Sequence, residues 1–146
     1  TAALFEASFY AGALFSKSPD EEIKKYRQLG FNIGMIFQLT DDCIDYENTV
    51  ETANKPVQSD YEQGVITLPL IHALANLKEL KEKAAKDKLA REEINEAVRK
   101  TDGIGFTKML VKKYYNKSLK LIEKLDASEA KKEKLVYILN KASRLV

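Results

Sequence analysis

Residues 37–46 read Phe37-Gln38-Leu39-Thr40-Asp41-Asp42-Cys43-Ile44-Asp45-Tyr46, with three aspartates inside five positions at the end of an otherwise apolar helical run. At about 100° per residue, Gln38, Asp41, Asp42 and Asp45 share roughly 100° of helical arc. Asp41 and Asp45 are i,i+4 neighbours and Asp42 and Asp45 are i,i+3 neighbours, so their charges repel. The crowding also falls at a helix C-terminus, where negative charge opposes the macrodipole. A positive group is expected to offset it, and the candidate is a hard divalent cation such as Mg²⁺. Such ions prefer carboxylate oxygen and share their shell with water and phosphate. The alternative is a solvated acidic helix end, since acid triplets are common on surfaces. The flanks weigh against that alternative. Ile33, Met35, Ile36, Phe37, Leu39 and Ile44 make the helix apolar around most of its circumference. It is therefore expected to be buried, where acids are rarely left unpaired.

Outward from this stretch, the run begins at a strong start signal: Ser18 as N-cap, Pro19 at the first helical position and Glu21 completing a capping box. From there to Asp45 the pattern predicts a helix of about 40 Å. Gly30 and Gly34 lie one turn apart on the side of Phe31 and Gln38, where small residues admit either a neighbouring helix or a ligand. Thr1 to Phe15 reads as a preceding helix, with Leu4, Phe5, Ser8, Phe9, Gly12 and Phe15 near one face, and Ser16 to Asp20 as a turn. After the aspartates, Glu47 to Gln63 lacks periodicity. A polar loop of this length is usually functional or disordered, and it could fold back over the aspartates and bring Lys55 to a bound phosphate. Thr67 is the expected N-cap of a helix carrying Leu70, Ile71, Leu74, Leu77 and Leu80 and running towards Lys86. Further helices are expected over Arg91–Lys100, over Gly105–Leu125 (Met109, Leu110, Tyr114, Leu121 and Leu125 on its stripe), and after a cap at Ser128. His72, the only histidine, reads as structural or surface. No strand pattern appears, so the fold class is all-α.

Composition narrows the function. The 146 residues are enough for one domain with one core. Lysine and arginine number 24 against 22 acids, a net charge of +2 that points to neither nucleic acid nor an acidic membrane surface. The lysine-rich C-terminal third, from Lys112 to Lys134, reads as a solvated face because acids interleave. The single Cys43 rules out a disulfide framework and a cysteine-rich metal site, and fits a reducing, intracellular setting. No apolar run is long enough to span a bilayer, and no signal peptide is visible. The chain starts at Thr1 inside an apolar helical pattern, and a cut is expected there.

The ordered series of motifs resembles the C-terminal half of a trans-polyprenyl diphosphate synthase. Phe37-Gln38-x-x-Asp41-Asp42-x-x-Asp45 is similar to that family's second aspartate-rich motif. Lys55-Pro56, Asp60, and Gly64-x-x-Thr67-Leu68-Pro69-Leu70-Ile71 resemble the segment that follows it. Thr1-Ala2-Ala3-Leu4-Phe5-Glu6-Ala7 resembles the stretch that begins at the family's Lys-Thr pair. Asp102-Gly103-Ile104 and Ser128-Glu129-Ala130-Lys131 also have counterparts. Departures are Asn54 where a glycine usually precedes the loop lysine, Val65 where many members carry a second lysine, and the absence of the first aspartate-rich motif.

The resemblance implies residues 1–146 as the second half of a single synthase domain, an isoprenoid-synthase-type helical bundle around a central cavity. It implies Mg²⁺-assisted condensation of isopentenyl diphosphate with an allylic diphosphate to a long trans-polyprenyl diphosphate. Asp41, Asp42 and Asp45 would be metal ligands, Lys55 a diphosphate contact, and Gln38 and Thr1 side-chain oxygens near the developing cation. Phe37 would lie near the isopentenyl site, and Phe31 and Met35 along the prenyl channel. A cytoplasmic protein is implied, as a homodimer or as a heterodimer with a small non-catalytic subunit as in some bacterial enzymes, with a product that can pass to the membrane. With half the metal clamp missing, the isolated chain is expected to be inactive. The rivals are a short-chain synthase making a geranyl, farnesyl or geranylgeranyl product, a non-catalytic helical regulatory subunit, and an unrelated helical interaction module.

Overall fold

A computed structural model of the chain describes residues 1–47, 61 and 63–144. Among these, seven helices and no strand are present: α1 (Ala2–Phe15), α2 (Asp20–Glu47), α3 (Leu68–Asn76), α4 (Lys78–Ala84), α5 (Arg91–Lys100), α6 (Gly103–Glu123) and α7 (Glu129–Ala142). The all-α expectation holds. Instead of one core, the residues group into two compact units, 1–40 with 110–146 and 41–109. Each unit has its own apolar cluster.

In the first unit, α2 supplies Leu29, Ile33 and Ile36, all fully buried against Ile122, Leu125, Leu135 and Leu139. Removing one such side chain from water contributes about 1.5–3 kcal/mol. Glu22, also buried, ties α2 to the α6–α7 turn: one carboxylate oxygen accepts from Lys25 Nζ at 2.5 Å and the other from the Asp126 backbone N–H at 3.0 Å. The Lys25 hydrogen bond leads in holding this carboxyl below its ordinary pKa. Ser128 accepts from the Lys131 backbone N–H as the expected N-cap of α7. Glu21, by contrast, pairs with Lys24 at 2.7 Å instead of serving the capping box read from the sequence.

The two glycines of α2 serve helix packing. A Cβ at Gly30 would stand 2.7 Å from the Phe5 carbonyl oxygen and from Phe9 Cβ, and one at Gly34 would stand 2.6 Å from Ala2 Cα. Gly30 meets Phe5 and Phe9 while Gly34 meets Ala2 and Phe5, so α1 runs antiparallel to α2. The face of α1 follows from this contact. Phe5 and Phe9 are half-buried and Ala13 is buried, whereas Leu4 and Phe15, expected on the same face, are 72% and 86% exposed.

In the second unit, Leu70 and Ala73 of α3 pack with Leu89, Ile94, Ala97 and Val98. The single helix expected from Thr67 to Lys86 is broken at Leu77, whose backbone is extended. The break has a local cause. Asn76 turns its side-chain amide onto the His72 carbonyl at 2.8 Å, a competing bond of the kind that ends helices. Ile71 and Met109, expected on apolar stripes, are exposed. His72 is structural: it stacks on Phe106 at 4.1 Å and its Nε2 lies 3.2 Å from the Thr101 carbonyl. α6 starts two residues earlier than its periodicity indicates because Asp102, at φ 51°, accepts from the Gly105 N–H at 3.2 Å.

These contacts predict opposite outcomes for three glycines. Gly30→Ala and Gly34→Ala should each destabilise by about 1–3 kcal/mol through overpacking. Gly12, with nothing within 4 Å of a built Cβ, should gain about 0.5–1 kcal/mol on change to Ala. Chemical denaturation followed by circular dichroism reads all three.

Candidate functional site

The site is built on the last three turns of α2. In the first unit, Gln38 is half-buried and accepts a hydrogen bond from Thr1 Oγ1 at 2.8 Å. The two residues are 37 apart in sequence, and their meeting follows from the packing just described. Gln38 lies one turn beyond Gly34, and Thr1 precedes the Ala2 that Gly34 admits. Phe37 is 38% exposed, and its ring centroid lies 5.8 Å from that of Phe5. Met35 is half-buried.

Phe31, expected along the prenyl channel, is half-buried. It pairs edge-on with Tyr114, centroids 6.5 Å apart, beside a cleft that also contains Lys117, Lys120 and Lys124. On its other side it borders a cleft with Glu6, Lys24 and Arg27.

The aspartates belong to the second unit. Asp41 is exposed, Asp42 is buried at 7% exposure, and Asp45 is half-buried. Two contacts fix the helix end that carries them. Tyr46 Oη and Thr67 Oγ1 are 3.0 Å apart, so the α3 N-cap residue uses its side chain on α2 instead of capping its own helix. Lys108 of α6 forms an ion pair with Glu47, the last residue of α2. The Glu47 hydrogen bond leads in raising the Lys108 pKa above its ordinary value. Lys108 thus places a positive charge at the negative end of the α2 dipole, as the crowding of acids demanded. Sequence reasoning missed it, because no spacing rule links residue 108 to residue 47. Between them, Cys43 is 2% exposed, and burial pushes its thiol up to about 11.

Among the described residues, no three histidine, cysteine or carboxylate side chains converge into a metal cage. The aspartates are distributed from the exposed Asp41 to the buried Asp42. Carboxylate oxygen is the donor type a hard divalent cation prefers. Lys55 lies outside the described residues, as do Asn54, Pro56 and Asp60. Gly64 takes φ 81°, and Val65 is exposed. No helix among the described residues is long and apolar enough to cross a membrane.

The family model for polyprenyl synthetase matches residues 1–101. The chain belongs to the polyprenyl synthetase family. It is 35% identical over 135 residues to heptaprenyl diphosphate synthase component 2 of Geobacillus stearothermophilus, a match covering 90% of this chain and 42% of that protein. The crystal structure of geranylgeranyl pyrophosphate synthase from Lactobacillus brevis complexed with citrate superposes with a TM-score of 0.82 at 30% identity, over 100% of this chain and 48% of that one. A Caulobacter crescentus polyprenyl synthase, solved with calcium and isoprenyl diphosphate, gives 0.79 at 27% identity, over 98% and 46%. The chain thus spans less than half the length of the relatives it matches.

Burial makes Cys43 a test of this packing. In the native protein its alkylation by iodoacetamide at neutral pH should be at least about a hundredfold slower than in denaturant, since a buried, protonated thiol is inert. Mass spectrometry of the quenched time course measures the ratio. Equal rates would show that the end of α2 is not packed as described.

Proposed function

We propose that the complete protein is a prenyltransferase that condenses isopentenyl diphosphate with an allylic diphosphate and builds a long trans-polyprenyl diphosphate. The observation that carries this reading is the Asp41-Asp42-x-x-Asp45 array on the pinned end of α2, with the Thr1–Gln38 pair before it on the same helix. Membership of the family and the similarity to a heptaprenyl synthase component support it.

The demanding step is rupture of the allylic C–O bond, which leaves a carbocation and a diphosphate. Asp41, Asp42 and Asp45 would hold Mg²⁺, which when bound neutralises charge on the leaving diphosphate. The carboxylates orient by virtue of their helix. Asp42 is held by burial, and the helix end is held by the Lys108–Glu47 and Tyr46–Thr67 contacts. Gln38 Oε1 and Thr1 Oγ1, joined by their hydrogen bond, would offer oxygen dipoles to the developing positive charge. Lys55 would contact a diphosphate oxygen. Phe37, partly exposed beside Phe5, would face isopentenyl diphosphate. Met35 would line the prenyl channel. A cytoplasmic enzyme, acting as a homodimer or with a smaller non-catalytic subunit, fits the resemblance to a protein named as component 2 of its synthase.

The test uses the complete protein with Mg²⁺, isopentenyl diphosphate and farnesyl diphosphate, with chromatography of the products. Long prenyl products are expected, abolished by chelator, and Asp41→Ala and Asp42→Ala should each lower kcat by about 10²-fold or more, the scale for loss of an electrostatic stabiliser. Full activity in either variant would overturn the assignment of the aspartates. Products no longer than geranylgeranyl diphosphate would overturn the long-chain reading.

A further inference from the structure

The cleft beside Phe31 has a lining unlike that of the cleft adjoining it. Its volume is about 490 Å³, and its lining residues all belong to the first unit. Its apolar part is the Phe31–Tyr114 edge-to-face pair with Leu121. Lys117 and Lys120 stand along it at i and i+3 on α6, Lys124 follows just past the end of that helix, and all three are exposed.

Charge pairing distinguishes this cleft from its neighbour. In the adjoining cleft the cations are matched: Arg27 bonds Glu6 at 2.5 Å, and Lys24 bonds Glu21 at 2.7 Å. Among the described residues no carboxylate pairs with Lys117, Lys120 or Lys124, and none lines their cleft. Lys117 and Lys120, i,i+3 neighbours on α6, repel one another. Asn32, at 3% exposure, accepts from Gln28 Nε2 at 2.9 Å beside the cleft. The charged part of the lining is therefore wholly positive, beside an aromatic and aliphatic surface.

We propose that this cleft binds an anionic amphiphile: a phosphate or diphosphate ester whose headgroup sits among Lys117, Lys120 and Lys124 and whose apolar chain lies on Phe31, Tyr114 and Leu121. Ammonium groups bind phosphate as point charges, and the aromatic pair supplies apolar area that inorganic phosphate cannot use. With no carboxylate in the lining, the headgroup is recognised without a divalent cation. The ligand is either a soluble phosphate ester or the headgroup of an anionic lipid. The inference is independent of the catalytic reading, which places its metal and diphosphate elsewhere in the chain.

The experiment is isothermal titration of the complete protein with decyl phosphate, below its micellar concentration and in the presence of chelator. Saturable binding at one site per chain is expected, with inorganic phosphate at least tenfold weaker. The K117Q/K120Q/K124Q variant should lose tenfold or more in affinity at unchanged Tm. K112Q/K113Q, altered at two exposed lysines of α6 outside the cleft, should bind as the parent does. Phe31→Ser should weaken decyl phosphate but not inorganic phosphate. Co-sedimentation with phosphatidylglycerol vesicles, competed by decyl phosphate, would identify the lipid source, and decyl phosphate binding without co-sedimentation the soluble one. Undiminished affinity in the triple lysine variant would overturn the proposal. So would equal binding of decyltrimethylammonium, which shares the chain but reverses the charge.

Discussion

Negative charge collected at the carboxyl end of a buried helix is the constraint on which the arrangement turns. Three aspartates and Glu47 lie within the last seven residues of α2, where the aligned peptide dipoles are already negative. Left alone, such an end would fray. Lys108 meets Glu47 across the helix end, and Tyr46 and Thr67 join their hydroxyls. Both contacts bring residues of other helices to α2, and together they keep carboxylates in place that a stability argument alone would remove.

Within the first unit, the Thr1–Gln38 pair is decided by steric contact. Gly30 and Gly34 let the backbone of α1 approach α2 more closely than any side chain would allow. That approach sets the register of the antiparallel pair and so brings Thr1 to Gln38. A hydrogen bond across 37 residues is thus a consequence of two missing methyl groups. The same register turns Phe5 and Phe9 inward and leaves Leu4 and Phe15 outside. These exposed side chains belong to a chain less than half as long as the relatives it matches.

Charge on α6 and just past its end is used in two ways. Lys108 is consumed by an ion pair that serves the acidic helix end, whereas Lys117, Lys120 and Lys124 lack a carboxylate partner among the described residues. Their positions along one cleft, over an aromatic pair, make a chemical surface from residues that look alike in sequence. Solvation of scattered lysines costs nothing, but alignment of three of them over apolar area raises the local potential enough to select an anion.

Much was decided by sequence alone. Periodicity identified the helices, since a stripe repeating every three to four residues can be buried only as a helix, and the D-D-x-x-D spacing on an apolar run identified the candidate metal ligands. The family was legible from the order of motifs. Helix ends were less so: Glu21, Asn76 and Asp102 each had more than one possible partner, and only the packed chain selects among them. Tertiary structure alone decided that Gly30 and Gly34 admit a helix, that Lys108 serves the acidic end of α2, and that Phe31 stands among lysines. Helical spacing says which residues share a face, because that is local geometry. What each face meets depends on contacts between residues far apart in the chain, and no local rule carries that information.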